Sequence, residues 1–326
     1  GKINGVHAVD TLDGKEYQIK SKVVVNATGV FVDDVMKMDE CDTRRKVRPS
    51  QGVHLVVDSK FLGGRSALMI PKTKDGRVLF GVPWHGKVVL GTTDTPLNEA
   101  SLEPRALEEE VDFILDQAGQ YLDRKPTRAD VLSIFAGLRP LAAPTHADSK
   151  KTKEISRNHK IYRSKSGLLT ITGGKWTTYR AMAEDVINQA IVIGGLSPAE
   201  CVTKNLRVHG YTKEQFDEND WNYVYGSDAD KIQKMIEKEP SFAEKLYEGY
   251  TFTAAHVVWA AREEFAQNIE DVLARRVRML FLDARAALKI APKVASVLAA
   301  ELGKDKTWEQ AQIADFNRLA RGYILN

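Results

Sequence analysis

The stretch LTITGGKWTTYRAMAEDVI, residues 169–187, constrains the fold more than any other part of the sequence. A β-branched apolar run ends in two glycines, a lysine and two threonines, and an amphipathic segment follows. A strand, a tight turn and a helix in this order are typical of α/β folds, which place ligands beyond the carboxyl ends of their strands. Unpaired N–H groups at a helix start, reached over bare glycines, suit an anionic or carbonyl-rich ligand.

The glycine pattern excludes two well-known nucleotide loops. A Walker loop needs G-x-x-x-x-G-K-[ST], but Leu169 stands five positions before Gly174 and Trp176 follows Lys175. No G-x-G occurs among the 23 glycines, so the dinucleotide fingerprint G-x-G-x-x-G is absent and a self-contained Rossmann domain is not expected. From the residues alone, a structural turn with a solvated lysine stays open beside the ligand site.

The periodicity of apolar residues changes along the chain. Residues 48–100 contain short strand patterns punctuated by turns, which predicts a largely antiparallel sheet. Helical spacing predicts helices over 104–122 and 177–193, the second with Tyr179, Val186 and Ile187 on its inner face. Beyond residue 200, helical patterns replace strand patterns, which indicates a separate all-helical domain.

Composition narrows the class of partner. The 326 residues carry 47 basic and 44 acidic side chains, a net charge of +3 that does not favour nucleic acid as the main partner. No apolar run approaches the roughly 20 residues of a membrane helix. Cys41 and Cys201 lie far apart without metal-ligand spacing, so we expect reduced thiols, no metal site and a cytoplasmic location.

Two side chains in strand-like runs are candidate functional residues. Arg139 lies in the apolar run FAGLRPLAAP, where a guanidinium needs a partner. A carboxylate of the protein or a phosphate or carboxylate of a ligand would satisfy it. His54 alternates with Val53 and Leu55 and faces away from them, which is typical of a satisfied core or surface histidine as well as of a base.

Seven segments resemble one family in their order along the chain. They are NATGVFVDDV, PSQGVHLVVD, GTTDTP, GLRPL, ISRNHKI, TITGGKWTTYRAMAE and AREEFAQNIEDVLARRVRMLFLDARAAL. The chain resembles the FAD-dependent glycerol-3-phosphate dehydrogenases, of the wider D-amino-acid-oxidase-like flavoprotein superfamily. The GGK-x-TTYR run together with the arginine-rich tail is the most specific part of this resemblance, which covers nearly the whole chain.

The resemblance implies an α/β plus all-α fold with three domains. These are a partial FAD-binding Rossmann-like domain at 1–46 and 165–197, a mostly antiparallel-sheet substrate domain at 47–164 and a C-terminal helical domain at 198–326. Family members carry their glycine-rich FAD turn nearer the N-terminus. The resemblance therefore implies that this sequence lacks that region, and that the chain alone is inactive and holds little or no FAD.

The resemblance also assigns roles to individual residues. Flavin contacts are expected at Ala27, Thr28, Gly29, Gly173, Gly174, Lys175, Trp176, Thr177 and Thr178. The partial positive charge of a helix start suits the reducible ring of the flavin. Arg139 and Lys175 match positions that hold the anionic substrate, and His54 matches a histidine beside the flavin. These three are the expected catalytic residues.

The implied reaction is oxidation of sn-glycerol 3-phosphate at C2 to dihydroxyacetone phosphate, with hydride passing to flavin N5 and electrons on to a quinone. His54 is the candidate base for the hydroxyl proton, and Arg139 is the alternative group that polarises that oxygen. The resemblance leaves open whether the protein associates peripherally with the inner face of the cell membrane and whether it forms a homo-oligomer.

Two other functions stay open. A glycerol-3-phosphate oxidase would use O₂ as the acceptor and carry the same motifs. Residues 200–326 would alternatively serve as a non-catalytic helical module that docks on a membrane or subunit, an interpretation based on the basic run Arg275, Arg276 and Arg278.

Overall fold

A computed structural model describes residues 1–143, 158–214, 217 and 220–325, and the chain divides into two compact units. The first unit comprises Gly1–Gly52, Asp94–Pro104 and Gly137–Leu206. The second unit comprises Val53–Thr93, Arg105–Ala136 and Arg207–Asn326. Residues of the predicted substrate domain 47–164 occur in both units. Its residues 144–157, which include Pro144 at the end of the run FAGLRPLAAP, lie outside the described residues.

The described residues form eleven strands and eight α-helices. The strands are β1 Gly5–Val9, β2 Glu16–Lys20, β3 Val25–Asn26, β4 Val47–Asp58, β5 Leu68–Ile70, β6 Leu79–Trp84, β7 Lys87–Gly91, β8 Thr95–Pro96, β9 Val131–Ala142, β10 Lys160–Arg163 and β11 Leu169–Thr172. The helices are α1 Val32–Asp39, α2 Glu108–Gly119, α3 Tyr179–Gly194, α4 Ala229–Lys238, α5 Ala254–Glu263, α6 Met279–Leu282, α7 Ala284–Leu302 and α8 Lys306–Ala320.

The first unit contains a three-stranded sheet in the order β10-β11-β3. β10 and β11 are antiparallel, whereas β11 and β3 are parallel. Leu169 and Ile171 of β11 pack with Val186 and Ala190 of α3, because a helix that directly follows a strand folds back onto the sheet. The small core of this unit therefore lies directly beneath the turn between β11 and α3.

Two local expectations for the first unit are corrected. The apolar run Val23–Val25 predicts a strand at those residues, but among the described residues only Val25–Asn26 pairs with β11, so the strand is shorter and begins later. Tyr179 and Ile187, expected on the inner face of α3, are 60% and 52% exposed. The apolar arc of α3 is wider than the face that three short strands cover, so only part of it is buried.

The second unit contains an antiparallel sheet, as the strand patterns predict. β5, β6, β7 and β4 are consecutive neighbours in the sheet, and β9 also pairs with β4. The β6–β7 hairpin closes through His85 and Gly86, whose positive φ values of 46° and 69° are those of a two-residue type I′ turn. α2 packs Val111, Ile114 and Ala118 into the core of this sheet, which agrees with the predicted helix.

Helices α4 to α8 of the second unit share the largest hydrophobic cluster of the described residues. Asp283 caps the start of α7, where its side chain accepts a hydrogen bond from the Ala286 N–H at 2.9 Å. Gly303 caps the end of α7 with a left-handed φ of +63°. The predicted switch from strands to helices toward the C-terminus is confirmed. In the described part of the chain, no helix has the length and apolarity that crossing a bilayer requires.

Candidate functional site

Two of the turns predicted to bind the cofactor start at the same edge of a sheet. β3 ends at Asn26 and β11 ends at Thr172, and the two strands are parallel neighbours. The turn Ala27–Gly29 and the turn Gly173–Lys175 therefore both leave from carboxyl ends of adjacent strands. This edge is where open α/β sheets bind ligands.

The Asn26 side chain fixes the first of these turns. Asn26 is 2% exposed, and its Nδ2 donates to the Val32 carbonyl at 2.9 Å and to Thr170 Oγ1 at 3.3 Å. Its Oδ1 accepts from Thr28 Oγ1 at 2.8 Å. Thr170 lies on β11, so one buried amide holds the Thr28 turn against the strand that leads to the second turn.

The second turn requires glycine at two successive positions. Gly173 and Gly174 have φ values of +77° and +79°, a region that side chains rarely adopt. A Cβ at Gly173 would lie 2.8 Å from the Asn158 carbonyl oxygen, and one at Gly174 would lie 2.4 Å from Met182 Sδ. The backbone of this turn is thus open on one side and closely packed on the other.

Lys175 and the threonines form a short 3₁₀ turn before α3. Lys175 is extended, with φ −138° and ψ 151°, and the turn covers Trp176–Thr178. Both the N–H and the hydroxyl of Thr178 donate to the Lys175 carbonyl at 3.0 Å. The Lys175 side chain is exposed and has no ion-pair partner among the described residues.

A cavity of about 520 Å³ lies over this turn, within the first unit. The predicted site residues that line it are Arg139, Gly173, Gly174, Lys175 and Trp176. The other lining residues are Leu138, Pro140, Leu141, Tyr179 and Met182. The structure thus brings two cations and two bare glycines to one largely apolar cavity, a combination that favours an organic anion.

The rest of the predicted flavin contacts flank this cavity without lining it. Thr177 and Thr178 are exposed and follow Trp176 directly, and Ala27–Gly29 start at the same sheet edge. Trp176 is 85% exposed and stacks on Tyr179, with ring centroids 5.4 Å apart and an angle of 29°. Exposed aromatic faces beside a polar turn are suited to contact a planar ligand.

Arg139 has a protein carboxylate near it and also faces the cavity. Its Nη1 lies 3.7 Å from Asp94 Oδ1, and the Ser50 hydroxyl donates to the same Asp94 oxygen. The Arg139 side chain is 34% exposed, whereas that of Asp94 is 11% exposed. The sequence left a protein or a ligand partner open for Arg139, and the structure supplies the first while leaving the guanidinium accessible to the second.

Gly52 makes room for this arginine. A Cβ at Gly52 would lie 2.3 Å from Arg139 Nη2, so the guanidinium occupies the space of the missing side chain. A glycine inside a strand often marks such a close approach. This signal was present in the sequence at β4, but spacing alone does not say which side chain approaches.

His54 lies in the second unit, on β4 opposite Gly91 of β7. Its ring stacks on Phe135 with centroids 5.2 Å apart, and a Cβ at Gly91 would lie 2.4 Å from its Cδ2. Val53 and Leu55 on either side are fully buried, as the alternation predicts. Its position within this unit is thus tightly packed, and its role as the base stays a prediction.

Sequence reasoning missed four residues of this site. Tyr179 and Met182 line the cavity, and Gly52 and Asp94 position Arg139. Asp94 lies in GTTDTP, a segment whose composition is that of an ordinary turn. The pairing of β4 with both β8 and β9 brings this turn to Arg139.

Comparison with known proteins identifies two family descriptions in the chain. One, FAD dependent oxidoreductase, matches residues 1–180, and the other, the C-terminal domain of alpha-glycerophosphate oxidase, matches residues 169–310. The mitochondrial glycerol-3-phosphate dehydrogenase SDP6 of Arabidopsis thaliana is 39% identical across 96% of this chain and 54% of its own length. The human mitochondrial glycerol-3-phosphate dehydrogenase is 35% identical across 96% of this chain and 45% of its own length.

A solved structure matches almost all of the chain. It is the glycerol-3-phosphate dehydrogenase from Bacillus halodurans complexed with FAD, with a TM-score of 0.83 and 28% identity. The match covers 99% of this chain and 66% of the solved one. The chain spans about half the length of the sequence relatives that it matches.

Proposed function

The chain belongs to the family of FAD-dependent oxidoreductases. We propose that it is part of an enzyme that oxidises sn-glycerol 3-phosphate to dihydroxyacetone phosphate, and that it supplies the cationic side chains that bind the substrate and one of the turns that bind the flavin. The resemblance found in the sequence is confirmed at the level of the family. The observation that carries the proposal is the cavity in which Arg139 and Lys175 meet Gly173 and Gly174.

The residues of the turn fit a flavin. The backbone of Gly173 and Gly174 lines the cavity, where it would meet the edge of a flat ligand, while Asn158 and Met182 fill the space of the missing Cβ atoms. The exposed Trp176 follows in the same turn. Ala27–Gly29 at the neighbouring strand end would contribute further backbone contacts. When bound, FAD supplies the acceptor for the hydride, and with it the two electrons, that leaves the substrate carbon.

The cations of the cavity would bind and orient the substrate. A phosphate dianion placed between Lys175 and Arg139 would gain charge-assisted hydrogen bonds, and the Arg139 fork suits bidentate contact. Asp94 and Gly52 would hold that fork in place. His54 remains the proposed acceptor of the hydroxyl proton, and Arg139 the alternative group that polarises the oxygen, both on the family resemblance.

Substitution of the two cations tests this proposal. In the enzyme that contains this chain, Arg139→Gln and Lys175→Met should each raise KM for glycerol 3-phosphate at least about tenfold, since a charged hydrogen bond contributes about 1.5–3 kcal/mol. FAD content, read from the visible flavin absorbance after desalting, should change little. Lys22→Met, at an exposed lysine of the same unit, is the control. An unchanged KM in both variants would contradict the proposal.

The electron acceptor has two candidates. We propose a quinone, because the relatives are named dehydrogenases. The match to a domain described for alpha-glycerophosphate oxidase favours O₂ as the second candidate. Anaerobic reduction by substrate, followed by mixing with O₂ or with a quinone analogue, separates the two. Fast reoxidation by O₂ alone would contradict the proposal that a quinone is the electron acceptor.

We place the enzyme peripherally on the inner face of the cell membrane, because a quinone acceptor resides in the bilayer. Flotation with liposomes tests this location. Protein that stays at the bottom of the gradient, with and without quinone in the liposomes, would contradict it.

A further inference from the structure

A second cavity, of about 280 Å³, lies within the second unit and has no part in the proposed reaction. Most of its lining side chains are polar or charged. The lining residues are His209, Gly210, Val224, Tyr225, Asp228, Glu264, Arg275, Arg276 and Arg278. At about 30 Å³ for each water, the volume exceeds what one bound water or ion needs.

Two of the three arginines are already used by the protein. Arg275 Nη2 lies 2.8 Å from Glu270 Oε1. Arg276 donates to the Asp271 carbonyl at 3.0 Å and to the Glu264 carbonyl. Both guanidinium groups therefore hold the π-helical segment Asp271–Arg276 and its neighbours in place.

Arg278 differs from these two arginines. Among the described residues, no carboxylate lies within ion-pair distance of its guanidinium, which sits 6.0 Å from the centroid of the Trp84 ring. Its backbone is left-handed, with φ +56°, a conformation that costs free energy for a residue with a side chain. The other lining carboxylate, Asp228, is paired with Lys231 at 2.7 Å and with His209. Among the described residues, no carboxylate therefore neutralises the positive charge of Arg278 at this cavity.

Two buried oxygens in the lining have no hydrogen-bond partner among the described residues. One is the hydroxyl of Tyr225, a residue that is 7% exposed. The other is Glu264 Oε2, which lies 3.6 Å from Arg276 Nε, while Oε1 accepts from Trp259 Nε1 at 3.2 Å. Buried polar atoms are nearly always satisfied, so a ligand or water must complete them.

The three groups specify different parts of one ligand. A guanidinium donates and attracts an anion, a tyrosine hydroxyl donates or accepts, and an ionised carboxylate only accepts. A bare anion would contact Arg278 and Tyr225 but would leave Glu264 Oε2 without a donor. We propose that this cavity binds a small organic anion that also carries a hydroxyl group, with the anionic group at Arg278 and the hydroxyl at Glu264 and Tyr225.

Two matched phosphate esters test the proposal. Glycerol 2-phosphate and isopropyl phosphate share a carbon skeleton, but only the first carries hydroxyl groups. Binding of each ester is measured by calorimetric titration of the full chain carrying Arg139→Gln and Lys175→Met. These two substitutions remove binding at the first cavity. We expect glycerol 2-phosphate to bind at least about tenfold more tightly than isopropyl phosphate, as an unpaired buried acceptor implies.

Variants of the lining complete the test. Tyr225→Phe and Arg278→Gln should each weaken binding of glycerol 2-phosphate about tenfold or more, whereas Arg318→Gln, at an exposed side chain of α8, should not. Glu264→Gln adds a donor and should reduce the preference between the two esters to less than about threefold. Equal binding of both esters, insensitivity to Arg278→Gln, or no binding up to about 10 mM would each overturn the proposal.

Discussion

α3 in the first unit and α7 in the second are both apolar helices, but they bury very different numbers of side chains. α7 buries nine residues, whereas α3 buries only Val186 and Ala190. The second unit thus combines a large helical core with the core of its sheet, while the first combines a small core with an accessible cavity. The difference teaches that the proposed active site lies on the part of the chain with less apolar burial, where glycines and paired charges rather than a core determine geometry.

Truncation of an apolar side chain in each helix tests this contrast most directly. Leu298→Ala in α7 should lower the free energy of unfolding by about 2–5 kcal/mol, because Leu298 is fully buried and its loss leaves a cavity. Val192→Ala in α3 should change it by less than about 0.5 kcal/mol, since Val192 is 81% exposed. Urea denaturation followed by circular dichroism measures both. Equal costs would show that α3 is buried in solution and would remove the contrast.

Acid should weaken the second unit through His256. This residue is 2% exposed, its Nδ1 accepts from the Thr253 N–H at 2.9 Å, and its Nε2 lies 2.7 Å from Asn222 Oδ1. Burial lowers the pKa of His256 to about 4. The unfolded chain binds a proton below about pH 6.5, so stability falls as the pH drops from there toward 4, by up to about 3 kcal/mol.

The control for this pH effect is His256→Gln. A glutamine at this position keeps the acceptor of the capping box that begins with Thr253 but does not titrate. Its unfolding free energy should vary less with pH between 6.5 and 4 than that of the parent. Parallel pH profiles for the two proteins would exclude His256 as the cause.

In the first unit, the two glycines of the site should differ in cost. Gly173→Ala should destabilise by about 2–3 kcal/mol, because the new Cβ meets the Asn158 backbone carbonyl as well as a positive φ. Gly174→Ala should cost about 1–2 kcal/mol, since the flexible Met182 side chain can move away. Gly29→Ala, with φ +62° and open space around its Cβ, isolates the backbone strain. Thermal unfolding of the three variants ranks them, and a reversed order would contradict the packing described for this turn.

The smallest effect on stability and the most selective effect on function are expected at Gly52. Gly52→Ala should displace the Arg139 guanidinium, which can swing toward solvent, and change the unfolding free energy by less than about 1 kcal/mol. In the enzyme that contains this chain, KM for glycerol 3-phosphate should rise about tenfold with FAD content unchanged. A loss of FAD instead of substrate affinity would place Arg139 at the cofactor.

These contrasts also show what the sequence could predict. Local periodicity predicts the strand, glycine turn and helix at Leu169–Ile187. It also predicts the change from strands to helices near residue 200. The ion pair of Arg139 with Asp94 depends on pairing between β4 and β8, which no spacing encodes. The exposure of Ile187 was also invisible, because amphipathicity says which face of a helix is apolar but not how much of it the rest of the fold covers.

The parallel pairing of β3 with β11 has a consequence for how the chain acquires its site. Asn26 and Thr170 are 144 residues apart, so their contact closes a very long loop at an entropic cost of about 4 kcal/mol. The hairpins β1–β2 and β6–β7 involve only nearby residues and can form on microsecond timescales. Asn26 leaves the ribosome long before its partner Thr170 is synthesised. The proposed ligand-binding edge therefore cannot form before the chain has been synthesised through β11, later than the local hairpins of the sequence before it.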